Sequence, residues 1–163
     1  MSITFKPIEK ADLTEVTAIY NYYVENSTAT FHLEKVTEAE METTLSLNHP
    51  LYKSFVILYN DKVCGFCYLG QFRKKEAYDI SAEVTLYIHY DFTGKKIGPE
   101  VLLFMEKVGK ELGLKNLVGV ITSENSGSLK LFERMGYFKC GHLKNIGIKF
   151  GRALDVISYQ KEI

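Results

Sequence analysis

The sequence predicts a mixed α/β domain, a central sheet with helices on its faces. Three observations lead there. Apolar residues recur at helical spacing in separate stretches, apolar runs rich in β-branched and aromatic residues alternate with them, and Gly, Pro and Asn-Asp mark the junctions. No repeat, low-complexity tract or linker interrupts the chain, so residues 1–163 read as one domain.

A short strand is expected around Ile3–Pro7, then a helix from Lys10–Ala11 onward, where Leu13, Val16, Ile19 or Tyr20, and Tyr23 share a face. Asn26–Phe31 is polar and broken and reads as a loop. A second helix covers Thr37–Leu47 and stops before Pro50. SFVILY and VCGFCYLG are strand-like runs separated by Asn60-Asp61-Lys62, a hairpin signature. A third strand follows over Tyr78–His89. Thr93–Gly98 is a glycine-containing turn, and Pro99 suits the first position of a helix. Val101, Leu102, Met105, Val108 and Leu112 give that helix its apolar face, and Gly113 ends it. A strand (Asn116–Thr122), a short helix (Ser126–Met135) and two strands (Tyr137–Ile148 and Leu154–Gln160) complete the order β-α-α-β-β-β-α-β-α-β-β.

A chain of 163 residues buries roughly two-thirds of its unfolded surface and needs no disulfide or metal staple. Lys plus Arg balances Asp plus Glu at 20 each, without the basic excess of a nucleic-acid binder. No apolar run reaches the roughly 20 residues of a membrane span. The N-terminus MSITFKPIEKADL lacks a secretory apolar stretch, so a cytoplasmic protein is expected. Cys64, Cys67 and Cys140 are an odd set that suggests no disulfide framework. The CGFC spacing of Cys64 and Cys67 fits redox chemistry or half a zinc site. On a regular strand, however, residues three apart point to opposite faces, and no second pair or nearby His completes a metal site. Reduced, structural cysteines and no metal are the expectation.

The unit YIHYDFTGKKIGPEVLLFMEK carries the clearest chemistry. A helix N-terminus exposes unpaired N–H groups and a partial positive charge, and a preceding glycine turn lets an anion approach. Lys95 and Lys96 add positive charge. The unit is neither a Walker loop nor GxGxxG, and a solvated basic loop fits the same residues.

Four segments, in order, resemble the GNAT N-acetyltransferases, and within them the phosphinothricin and methionine sulfoximine acetyltransferase branch. They are IYNYYVENSTATF, AEVTLYI followed by FTGKKIG, SENSGSLKLFERMGY, and GHLKNIGIKFGRALDVISYQ. The resemblance runs nearly end to end. It implies a mostly antiparallel central sheet flanked by about four helices and a V-shaped opening between two central strands. It also implies an acetyl-CoA co-substrate, a small amino-acid-like amine acceptor and a homodimer. Backbone at Leu86, Tyr87 and Ile88 would pair with the pantetheine arm. Amides of Thr93, Gly94, Lys95, Lys96, Ile97 and Gly98 would hold the pyrophosphate, and Asn125 and Ser128 would touch the cofactor's far side. Glu83 falls on the branch's general-base position, and Phe31, Arg73, Lys75 and Tyr78 fall in its acceptor-binding segments.

This assignment makes physical sense. An amino-acid acceptor arrives as ammonium and must lose a proton, and a Glu with a pKa near 4.3 needs partial burial to become an efficient base. Strand alternation places Ser81, Glu83, Thr85 and Tyr87 on one face and Val84, Leu86 and Ile88 on the core side. Read alone, Glu83 fits an exposed strand carboxylate better than a base, and it is the resemblance that reverses this; Arg73 and Lys75 also fit a solvated charged loop, and Phe31 a core residue. Two departures stand out. Phe132 occupies the position from which relatives donate a proton to the leaving thiolate, and no general acid follows from the sequence. Lys96 replaces a glycine of the branch's Gly-Lys-Gly-x-Gly loop, at a strain cost of order 1 kcal/mol if that position needs positive φ. A non-catalytic acyl-CoA-binding module and an enzyme acetylating protein amines stay open on sequence.

Overall fold

Alternating and helical apolar patterns settle into eleven main elements in the computed structural model, which describes residues 2–163. They are β1 (Ile3–Pro7), α1 (Leu13–Asn26), α2 (Glu38–Leu45), β2 (Ser54–Tyr59), β3 (Lys62–Gln71), β4 (Ser81–Ile88), α3 (Ile97–Glu111), β5 (Asn116–Thr122), α4 (Ser126–Arg134), β6 (Phe138–Lys149) and β7 (Arg152–Glu162). The strands form one sheet in the order β1-β2-β3-β4-β5-β7-β6. Every neighbouring pair is antiparallel except β4 with β5. That one parallel pair follows from the α3 crossover between its strands. No helix among the described residues is long and apolar enough to cross a membrane.

Strand parity divides the core in two. Ile57, Cys67, Leu69, Ala82 and Val84 pack with Val101, Leu102 and Met105 of α3 and Phe132 of α4. Val56 and Phe66, one residue out of phase, pack with Val16, Ile19 and Val24 of α1 and with Met41 and Leu45 of α2. Helices thus cover both sheet faces, and truncating one of the buried Leu, Ile, Met or Phe side chains among these to Ala is expected to cost about 2–5 kcal/mol. Local signals hold the junctions. Thr37 caps α2 in a reciprocal box with Glu40, and Asn60 and Asp61 both take positive φ in the β2–β3 turn.

Three sequence expectations need correction. The helix after the glycine turn begins at Ile97, so Pro99 sits inside its first turn, where a missing N–H still costs nothing. Tyr78 lies in a 3-10 turn spanning Glu76–Tyr78, and the strand starts at Ser81. Cys64 and Cys67 do not point to opposite faces. The β2–β3 register shifts between Ile57 and Leu58, pairing Leu58 with Val63 and Ile57 with Gly65, which leaves Cys64 as the extra residue of a bulge. Both thiols therefore bury in the α3-side core. Burial pushes the Cys64 thiol up to about 11 and the Cys67 thiol higher still, so neither is a thiolate at neutral pH.

Candidate functional site

The sheet opens where its parallel pair parts. β4 and β5 pair only over Ser81–Glu83 with Asn116–Val118. β5 stays bonded to β7 as far as Thr122, and β4 stays bonded to β3 as far as Ile88. Beyond Glu83 each central strand follows its outer neighbour, and a cleft of about 560 Å³ forms between them. The His89 N–H donates to the Cys64 carbonyl. By antiparallel alternation, residues 87, 85 and 83 also exchange bonds with β3, so the peptide groups of Leu86 and Ile88 point toward the opening. Consistent with this, the Ile88 carbonyl accepts the Tyr23 hydroxyl from α1.

The anion turn forms one rim. Gly94 has φ 76° with nothing within 4 Å of a Cβ placed there, and Lys96 takes φ 59° as the residue before α3. A Cβ on Gly98 would lie 2.7 Å from Leu131 Cδ2, so glycine lets the α3 N-terminus seat against α4. Thr93, Gly94, Lys96, Ile97 and Gly98 all line the cleft, as do Leu86, Tyr87 and Ile88. Asn125 and Ser128 line the opposite wall. The Asn125 side-chain oxygen accepts the Ser128 N–H at 3.1 Å, capping α4. Lys95 stands apart from the lining, its ammonium 4.7 Å from the Phe92 ring centre and 5.4 Å from that of Tyr59.

Glu83 sits where the strands separate, half-buried. Burial raises its carboxyl above the usual range, and the Arg73 guanidinium partly opposes that rise. Its charge also contributes to the raised hydroxyl pKa values of Tyr68, at about 12, and Tyr87. Glu83 therefore faces the α1 side of the sheet, in company with Thr85 and Tyr87, while Val84 belongs to the other face. Arg73, Lys75 and Tyr78 lie together in the exposed β3–β4 connection. The Arg73 guanidinium is 4.6 Å from the Phe72 ring centre, and Phe72 meets Tyr78 edge-on. None of the three lines the cleft, nor does Phe31, which rests over Gly147, where a Cβ would lie 2.6 Å from the Phe31 ring.

Sequence reading missed the strap that closes the α1 side. Residues 27–36 are tied down from α1, β4, β6 and the connection between β5 and α4. The Tyr20 hydroxyl lies 2.6 Å from Thr30 Oγ1, Tyr87 donates to the Ala29 carbonyl at 3.3 Å, and the buried Lys149 ammonium donates to the Thr30 carbonyl at 2.9 Å. Thr28 donates to Glu124 at 2.9 Å, and Arg152 grips the same carboxylate through two bonds of 2.8 Å. Those donors hold the Glu124 carboxyl at about 2. Tyr23, Ala29, Thr122 and Arg134 also line the cleft without any local sequence signal. Phe132 lines it too, buried and packed edge-on against Tyr137, with no polar atom to offer.

The arrangement suits a long anionic ligand with an extended amide arm. The α3 amides and Lys96 offer donors that would suit a pyrophosphate, the unpaired edge of β4 would suit an extended chain, and no carboxylate among the described residues lines the cleft.

Known proteins give the arrangement a family. A family model described as an acetyltransferase (GNAT) domain matches residues 5–157. The phosphinothricin N-acetyltransferase of Streptomyces viridochromogenes is 30% identical over 160 residues, covering 98% of this chain and 87% of its own. An L-methionine sulfoximine/L-methionine sulfone acetyltransferase of Salmonella typhimurium is 27% identical, covering 99% and 95%. Among solved structures, a phosphinothricin acetyltransferase of Sinorhizobium meliloti in complex with acetyl-CoA matches with a TM-score of 0.92 at 30% identity, covering 100% of this chain and 89% of that one. With a family match spanning nearly all of its residues and an architecture shared with a solved member, the chain belongs to the GNAT acetyltransferases.

Proposed function

We propose that this acetyltransferase moves an acetyl group from acetyl-CoA to the amine of a small amino-acid-like acceptor of the phosphinothricin or methionine sulfoximine type, with Glu83 as general base. The observation that carries this reading is the half-buried Glu83 at the point where β4 and β5 part, its carboxyl raised by desolvation toward the range where a base works near neutral pH. The acceptor class is supported by the relatives' names and by Arg73, whose planar fork suits an acceptor carboxylate.

In this reading Thr93–Gly98 and Asn125–Ser128 hold the two ends of the cleft, and the strand edge at Leu86 and Ile88 orients the arm between them. Bound acetyl-CoA supplies an acetyl thioester. Leu86 and Ile88 amides give the thioester oxygen hydrogen-bond donors, and the strap over residues 27–36 excludes water from the acceptor side. Glu83, directly or through one water, takes the ammonium proton of the acceptor and frees its lone pair. Phe132 donates no proton, so the departing thiolate takes one from water or Tyr87. The buried, protonated thiols of Cys64 and Cys67 suit the reducing cytoplasm. A homodimer is proposed through the edge strand β6, which exposes Leu143, Ile146 and Ile148.

The direct test is Glu83→Gln, assayed by acceptor-dependent thiol release. Loss of a general base lowers kcat/KM about 10²–10⁴-fold with CoA affinity retained. Wild-type turnover in the variant would remove Glu83 from the role.

A further inference from the structure

Among the described residues, two charged side chains line the β4–β5 cleft, Lys96 and Arg134, and both are cations. The chain's acids and bases balance at 20 each, so this sign is a local feature. Lys96 belongs to the anion turn. Arg134 is the last residue of α4 and arises independently of that turn. Leu131, three residues earlier, touches the place where Gly98 meets α4. Positions three apart share a helix face, so Arg134 extends the face of α4 that abuts the first turn of α3. Its side chain is exposed and takes part in none of the ion pairs among the described residues. The neighbouring Glu133 is turned to the Tyr159 hydroxyl, 2.7 Å away.

A free guanidinium at the C-terminal end of α4 is more than a pyrophosphate needs, because Lys96 and the α3 amides would already serve that group. A second cation, carried by the end of α4 where the first precedes α3, calls for a second anionic centre on the same ligand. CoA has one, the monoester phosphate on the 3′ position of its ribose. We propose that Arg134 binds the 3′-phosphate of CoA through its planar fork and makes the enzyme discriminate CoA from 3′-dephospho-CoA. This rests on the acetyl-CoA reading of the cleft.

The test is equilibrium binding by calorimetry, with CoA and 3′-dephospho-CoA as the two probes. The wild type binds CoA about tenfold more tightly than 3′-dephospho-CoA, the scale of one well-formed charge-assisted contact in partial solvent. In Arg134→Met the CoA affinity falls to the 3′-dephospho-CoA level, which itself stays unchanged, and Arg134→Lys keeps part of the preference. Equal weakening of both ligands in Arg134→Met would move Arg134 to the pyrophosphate and overturn the proposal, as would an unchanged preference. A wild type that binds neither ligand would overturn the acetyl-CoA reading and this inference together, whereas CoA binding without the Arg134 effect overturns this inference alone.

Discussion

Replacing Lys96 with Gly should stabilise the protein while weakening its hold on CoA. Lys96 takes φ 59° and ψ 29°, a left-handed conformation that crowds Cβ against its own backbone. That crowding costs a non-glycine residue about 1–2 kcal/mol. Glycine removes the crowding and gives back about 0.5–1 kcal/mol through the greater freedom of its unfolded chain. The difference leaves about 0.5–1 kcal/mol in favour of Lys96→Gly, which at this chain length is a rise in Tm of about 1–4 °C. Lys96→Ala is the control, because alanine keeps the Cβ in the same conformation and should melt close to the wild type. Both variants lose the cleft-lining ammonium, so both should bind CoA more weakly and with a shallower dependence on salt. Calorimetric melting of the three ligand-free proteins, followed by CoA titration, reads both effects. A Lys96→Gly protein that melts at or below the wild type would refute the strain argument, as would an equal rise in Lys96→Ala.

Other consequences follow from the same geometry. Because burial raises the folded-state pKa of Glu83 and the base must be ionised, kcat/KM should climb with pH through a limb above the usual Glu value. Arg73→Gln removes the opposing charge and should move that limb to higher pH. The same shift makes Glu83 a liability for folding. Its unfavourable contribution sets in as pH rises from the unfolded to the raised folded pKa and is complete above it, so Glu83→Gln should melt higher than the wild type at neutral pH while losing activity. Gly65→Ala would place a Cβ 2.4 Å from the Tyr87 backbone oxygen, forcing β3 and β4 apart. A loss of about 1–3 kcal/mol, seen as a Tm lower by several degrees, is expected, and an unchanged melt would contradict it. Ile148→Lys, on a side chain 73% exposed in β6, should turn the proposed dimer into a monomer in sedimentation without changing the fold, and a wild type that sediments as a monomer would contradict that proposal.

Local chemistry carried most of the fold into the sequence. Helical spacing, the Asn60-Asp61 turn and the punctuation at Gly113 are short-range signals, and each marks a real junction. What stayed hidden depended on partners distant in the chain. The bulge that turns Cys64 and Cys67 to one face comes from the register between β2 and β3, which alternation within one strand does not encode. The anion turn could be read because glycine, lysine and a helix start adjoin one another. The strap could not, since Thr28 meets Glu124 across 96 positions and Lys149 meets Thr30 across 119. Arg134 carries no local signal, because it is the contact of Leu131 with Gly98 that brings α4 against the cleft.

Acetyl transfer to a small amino-acid-like amine is the reaction proposed for this cleft. Its most direct measurement is thiol release from acetyl-CoA against a panel of amines that includes methionine sulfoximine, methionine sulfone and phosphinothricin. Release should require an added acceptor, be fastest with a compact amino acid bearing a polar oxo group, and fall by at least about 10²-fold in Glu83→Gln. Saturable CoA binding with no turnover on any of these amines would contradict it.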